Sequence, residues 1–149
     1  MPTRRHIRYA DLDELNADVR RLREHGYERC GTWSLEQACW HLNRIMRSMM
    51  KPGVKSPNTP QHDAARPMLL QVMASEMLPS GIEAPEMVRP PAEVPASTVD
   101  EFLETNEALK AFAGEFATHR LFGNLSNDEI LKLHLIHSAH HFSHLVPKG

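Results

Sequence analysis

Cysteine is scarce, glycine is thin, no long apolar run occurs and neither sign of charge dominates, and each shortage removes a class of function. Two cysteines in 149 residues, Cys30 and Cys39, are too few for a disulfide framework, and their nine-residue separation fits no zinc-knuckle spacing. They read as free thiols, and Cys39, two residues before His41, faces another side of any helix that carries both. The seven glycines include no group that resembles a phosphate-cradling loop. No stretch of about 18 apolar residues suggests a membrane span, and the positive N-terminus lacks a following apolar signal core, so a cytoplasmic location is the default expectation. Lys and Arg number 17 against 19 Asp and Glu and are spread along the chain. That balance argues against a protein built to neutralise phosphates, and nucleic acid is not expected as the main partner.

What is present is an ordinary globular composition, 41% hydrophobic and 24% charged. A chain of this length makes one domain, residues 1–149, burying roughly 70% of its unfolded surface. Ten histidines are unusual: protonating all of them would move the formal charge from −2 to +8.

Helical periodicity dominates and no stretch alternates apolar and polar residues as a strand does, so an all-α fold is expected. A first helix should run from about Asp11 to His25, with Leu12, Leu15, Val19 and Leu22 on one face and Gly26 ending it. The second opens at a capping box, Ser34 with Gln37, and carries an apolar stripe from Leu35 through Leu42 to Met49 until Pro52 and Gly53 stop it. His41 borders that stripe. Residues 52–95 hold nine of the eleven prolines and should be mostly loop, with one short helix from Pro67 to Met77 and the possibility of a lid over a site. Thr98 with Glu101 reads as another capping box, starting a helix that should end near His119. Ser126 with Glu129 reads as a third, starting a last helix that Pro147 and Gly149 terminate.

That last stretch carries His134, His137, His140, His141 and His144. At 100° per residue all five fall in an arc of about 120°, separate from an arc holding Leu131, Leu135, Phe142 and Leu145. One side should pack and the other present imidazoles. His137 and His141 are one turn apart, the spacing that lets two rings converge on one ion. Imidazole suits zinc, nickel, iron or copper, and a pair from one helix needs a further ligand from elsewhere. His41 is the candidate, because facing helices commonly build metal sites from inward-projecting side chains. Three nitrogens and an open position would make a catalytic arrangement that activates a bound water. The alternative is a set of partly exposed histidines on a polar face.

Trp33-Ser-Leu-Glu-Gln-Ala-Cys-Trp-His41 together with His137-Ser-Ala-His-His141-Phe-Ser-His resembles the DinB/YfiT-like superfamily of metal-binding four-helix bundles. The His119-Arg-Leu-Phe-Gly-Asn-Leu-Ser126 lead into the last helix is similar to a subfamily of unassigned function. The resemblance implies an up-up-down-down bundle with a long Pro-rich crossover carrying a short extra helix. It also implies a divalent metal, zinc first with nickel or iron as alternatives, on His41, His137 and His141, and frequently a homodimer. Activities across the superfamily include thiol-dependent S-transfer with low-molecular-weight thiols and hydrolysis, so the resemblance does not choose a reaction.

The remaining candidates have weaker roles. His134, His140 and His144 could line the cavity, His134 at its mouth, although surface positions are the simpler reading. His119 is expected to cap a helix C-terminus. Arg4, Arg5 and Arg8 could bind a carboxylate or phosphate but more simply belong to a frayed terminus. Trp33 and Trp40 read as anchors of helix ends. No Ser/His/Asp or Cys/His catalytic set can be assembled, and the catalytic residues stay unknown; Glu76 or Glu83 from the proline-rich segment could serve as a general base. Two functions remain: a metal-dependent enzyme of transferase or hydrolase type acting on a small molecule, or a non-enzymatic metal-binding or dimerising bundle.

Overall fold

The computed structural model describes residues 2–79 and 84–149. Among these the chain forms six α-helices: α1 (Leu12–His25), α2 (Leu35–Met49), α3 (Pro60–Ala64), α4 (Arg66–Ser75), α5 (Ser97–Lys110) and α6 (Asn127–Phe142). A 3₁₀ turn spans Glu86–Val88, and two short strands, β1 (Tyr27–Arg29) and β2 (Leu145–Pro147), complete the elements. The fold is mostly helical, as the periodicity predicts.

Local chemistry explains where three of the helices start. Asp11 accepts from the Glu14 amide at 2.9 Å to begin α1. At α2 the Ser34 hydroxyl accepts from the Gln37 amide at 3.1 Å while the Gln37 side chain accepts from the Ser34 amide at 2.9 Å. Ser126 and Glu129 repeat that exchange at α6. Each reciprocal pair satisfies two helix-end donors. Ser34→Ala should therefore cost about 1 kcal/mol in chemical denaturation, with little change in far-UV circular dichroism.

Helices α1, α2, α5 and α6 pack around one apolar core in which α2 has α5 as its main partner and also meets α6. Leu15, Leu22, Leu42, Phe102 and Phe142 are almost completely buried there. Helix α6 is enclosed more than an amphipathic helix would be: Ile130, Leu133, Leu135, Ile136 and Ala139 are all buried although they point to different sides. The expected division into a packing side and a histidine side does not hold, because neighbours cover nearly its whole circumference.

The interior also carries a polar chain. Asn106 donates to Asn16 Oδ1 at 2.8 Å, and His134 Nε2 donates to Asn106 Oδ1 at 2.9 Å, with all three residues buried. Asn16 in turn donates to the Leu103 carbonyl at 3.3 Å.

Four further expectations need correction. The last helix stops at Phe142 rather than continuing towards Pro147, and the chain beyond it pairs antiparallel with β1, Glu28 opposite Val146. Three-residue strands are too short to show alternation, so periodicity misses them. Helix α5 begins at Ser97 without a side-chain cap, and Thr98 is buried instead of capping. It ends at Lys110 rather than near His119. Beyond it the Ala117 amide donates to the Met49 carbonyl at 2.8 Å and the Thr118 amide to the Val54 carbonyl at 3.1 Å. Those tertiary bonds take donors that a longer helix would need.

The N-terminus is the third correction. Arg5 makes a two-pronged ion pair with Asp18, both distances 3.0 Å, its guanidinium also donates to the Phe142 carbonyl at 2.9 Å, and Tyr9 donates to the same carboxylate. Arg8 pairs with Glu76. The terminus is thus docked along the end of α6 instead of frayed. Last, His119 is no helix cap: it bridges to Gly123 in a tight turn, and its Nδ1 accepts from the Leu121 and Phe122 amides at 3.2 and 3.1 Å. Gly123 has φ +80°, and a Cβ there would lie 2.5 Å from Asn58 Oδ1. That close approach lets residues of the proline-rich crossover hold the lead into α6, with the Asn124 amide donating to Asn58 at 2.8 Å.

Candidate metal centre

Helix α2 brings His41 to the face of α6 that carries His137 and His141. The ring of His41 is nearly buried. His137 Nε2 lies 3.2 Å from His41 Nε2 and 3.0 Å from His141 Nε2, and one nitrogen from each of the three rings falls within 4.8 Å of the other two. Tetrahedral coordination at the usual Zn–N length of 2.0–2.1 Å places adjacent ligand nitrogens about 3.3 Å apart. The two short separations fit that spacing to within a few tenths of an ångström, and the third pair, His41 and His141, lies within 4.8 Å.

Proton bookkeeping points the same way. His41 Nδ1 donates to the Val88 carbonyl at 2.6 Å, which leaves a lone pair on its Nε2. His137 Nε2 would have to donate towards it, and would then have no in-plane lone pair for His141. One proton cannot serve both contacts well. A cation between the three lone pairs satisfies all of them, and the Val88 bond is the kind of outer contact that fixes a ligating ring's tautomer.

Burial pushes His137 and His141 well below the ordinary histidine range, with the neighbouring imidazoles adding to the effect. Burial lowers His41 too, against the opposing pull of the Val88 carbonyl. All three are therefore biased to the neutral form that binds metal.

The surroundings divide into a wall, a floor and a rim. The wall is the segment 84–91, whose Val88, Met87 and Pro91 carbonyls accept from His41, from Arg44 at 2.8 Å and from Gln37 at 3.0 Å. Gln37, His41 and Arg44 lie on one face of α2, so this part of the proline-rich crossover is clamped against the side of that helix that carries His41. The floor is a small apolar hollow of about 20 Å³ between Leu42, Met46, Ile130 and Leu133, with His119, His134 and His137 along it. The rim holds Trp33, whose ring stacks on His141 at 4.9 Å and 21° and leans against His41 at the same distance.

His134, expected at a cavity mouth, is buried in the polar chain with Asn106, and burial lowers it to about 4. His119 is lowered to about 4 as well, by burial and then by Arg120 and His62. His140 and His144 sit half-buried beside His141, with the rings of His140 and His141 5.1 Å apart. Burial, then the charge of Arg4, brings His140 to about 4. Glu76 is engaged by Arg8, and Glu83 lies outside the described residues.

The Val88 carbonyl has no counterpart in the sequence reading, and Trp33 and Arg4, read there as a helix-end anchor and as part of a frayed terminus, instead border the histidine site. Trp33 precedes the α2 cap and so belongs to no periodic face, and a backbone carbonyl has no residue signature. The capping box at Ser34 was the available clue, since it sets the direction in which Trp33 enters the helix.

Residues 1–148 match the family described as "Protein of unknown function (DUF1569)". No curated protein and no solved structure matches the chain.

Proposed function

The chain belongs to the DUF1569 family, and we propose that it is a metal-dependent enzyme whose His41, His137 and His141 hold one divalent ion, zinc before nickel or iron. The observation that carries this is the pair of 3.2 and 3.0 Å separations between imidazole Nε2 atoms, which repel as lone pairs and cooperate as ligands. When bound, such an ion would lower the pKa of a water or thiol at its open position to near 7, and so support hydrolysis or thiol transfer on a small molecule. The chain's own part is to keep the three rings neutral by burial, to orient His41 through Val88, and to hold Trp33 over His141 as a flat apolar surface at the opening. The packing of α1, α2, α5 and α6 around one core is what a four-helix bundle requires, and the resemblance to the DinB-like superfamily is the ground for proposing an up-up-down-down order, a homodimer and a low-molecular-weight thiol as a further candidate substrate.

Elemental analysis tests the metal first. Close to one equivalent of a divalent ion should copurify or bind at micromolar concentration; none binding to the folded wild type would remove the enzyme reading. In the cobalt-substituted protein, a small thiol that coordinates should produce a sulfur-to-cobalt charge-transfer band. Its absence, with metal in place, would leave hydrolysis as the reaction.

A further inference from the structure

Arg4 stands at the edge of the histidine site with no carboxylate partner among the described residues, whereas its neighbours Arg5 and Arg8 pair with Asp18 and Glu76. Its side chain is exposed yet held. Nε donates to Ser143 Oγ at 2.6 Å, and Nη2 lies 3.0 Å from His140 Nδ1. A guanidinium can only donate, so His140 Nδ1 accepts and a neutral His140 carries its proton on Nε2. Ser143 is itself buried and fixed, donating to the His140 carbonyl at 2.6 Å. The Arg5 amide, donating to the Ser143 carbonyl at 2.8 Å, keeps the chain beside it in place. His144 completes the edge: its ring packs 5.5 Å from that of His140 and so close to Gly31 that a Cβ there would lie 3.2 Å from it.

We propose that Arg4, with the ring N–H of His140, is the binding site for a carboxylate or phosphate group on the substrate that reaches the His41, His137 and His141 centre. Three features carry this, and it rests on the metal reading for the word substrate and for the ion's share of the attracting field. The guanidinium is preorganised by two neutral partners, which spend two of its five N–H donors and leave the rest for a ligand. The rings next to it lead directly to the centre, since His140 lies against His141. The polar and aromatic side chains that meet at the centre and its edge are those of histidine, tryptophan, serine and arginine, with no carboxylate among the contacts of the described residues. A divalent ion on three neutral ligands beside a permanent cation forms a field that attracts anions. An anchor a short distance from the reacting position would orient the rest of the molecule across Trp33.

The test uses inorganic phosphate and acetate as probes, on cobalt-loaded and metal-free protein. In the metal-free protein, titration followed by the Arg4 Nε–H and His140 ring resonances should give saturable shifts. R4Q should weaken this binding about tenfold or more and R4K should restore part of it, while cobalt affinity stays unchanged in both. S143A, which keeps the charge but frees the guanidinium, should fall between wild type and R4Q. Equal anion affinity in wild type and R4Q, within twofold, would overturn the proposal even if cobalt binds normally. Failure of cobalt to bind would overturn the metal reading, and the metal-free titration would still decide whether Arg4 holds anions.

Discussion

Replacing His137 by alanine should lower divalent-metal affinity by more than about 100-fold, because loss of an outer contact alone typically costs 10–100-fold and this change removes a ligand. His137 is the central ring, the one whose Nε2 meets both of the others, so H137A should be the most damaging of the three single changes. H41A should come next, since it also releases the Val88 carbonyl and with it the clamp on segment 84–91. Isothermal titration with zinc against a competing chelator measures both. Loss of affinity should come without loss of fold, because the metal-free rings are neutral and their removal relieves crowding between lone pairs. Thermal stability of the chelated H137A protein near or above that of the chelated wild type is the matching result. Full retention of zinc by both variants would show that these histidines are not the ligands.

The second large effect concerns the polar chain Asn16, Asn106 and His134. N106L removes the acceptor of His134 and the donor to Asn16 in a site closed to water, and each buried group left without a partner costs about 1–3 kcal/mol. The expected loss is roughly 2–5 kcal/mol, and for a chain of this size each kcal/mol corresponds to about 2–4 °C in Tm. The same chain should make the metal-free protein acid-labile. Unfolded histidine takes up a proton near pH 6.5, whereas folded His134 holds out to about 4. Between those values the unfolded state binds more protons, so the contribution is fully present above pH 6.5 and is lost as the pH falls towards 4. At 1.36 kcal/mol per pH unit, His134 alone would account for about 3 kcal/mol over that interval, and His119 acts in the same direction. Urea denaturation of chelated protein between pH 7.5 and 4.5 should show the decline, and H134Q, which can still donate to Asn106, should flatten it by close to one proton. An unchanged slope in H134Q would mean that His134 is not held neutral by the fold.

Much of this arrangement could be read before any coordinates. The i, i+4 spacing of His137 and His141, the capping boxes at Ser34 and Ser126, and the position of His41 at the edge of the α2 stripe all depend on residues a few positions apart. A helix propagates such local relations faithfully: once its start and phase are known, so is the face on which each ring lies. Histidine density was the poorer guide. His134, in the same arc as the others, points into the core because α5 offers Asn106 to it, and no local rule could report that partner 28 residues away.

What the sequence determined by itself is therefore the helical character, the phase of α2 and α6, and a set of three imidazoles able to meet. The tertiary structure decided the rest. It ends α5 at Lys110, because Ala117 and Thr118 give their amides to Met49 and Val54. It pairs the chain's last residues with β1, lays segment 84–91 against His41, and docks the N-terminus so that Arg4 stands beside His140. Each of those outcomes joins groups distant in sequence, and each is chosen by the need to satisfy a backbone donor, a backbone acceptor or a charge with whatever the packing of α1, α2, α5 and α6 brings within reach. Periodicity carries no information about such partners, because they come from other elements and not from the repeat of their own.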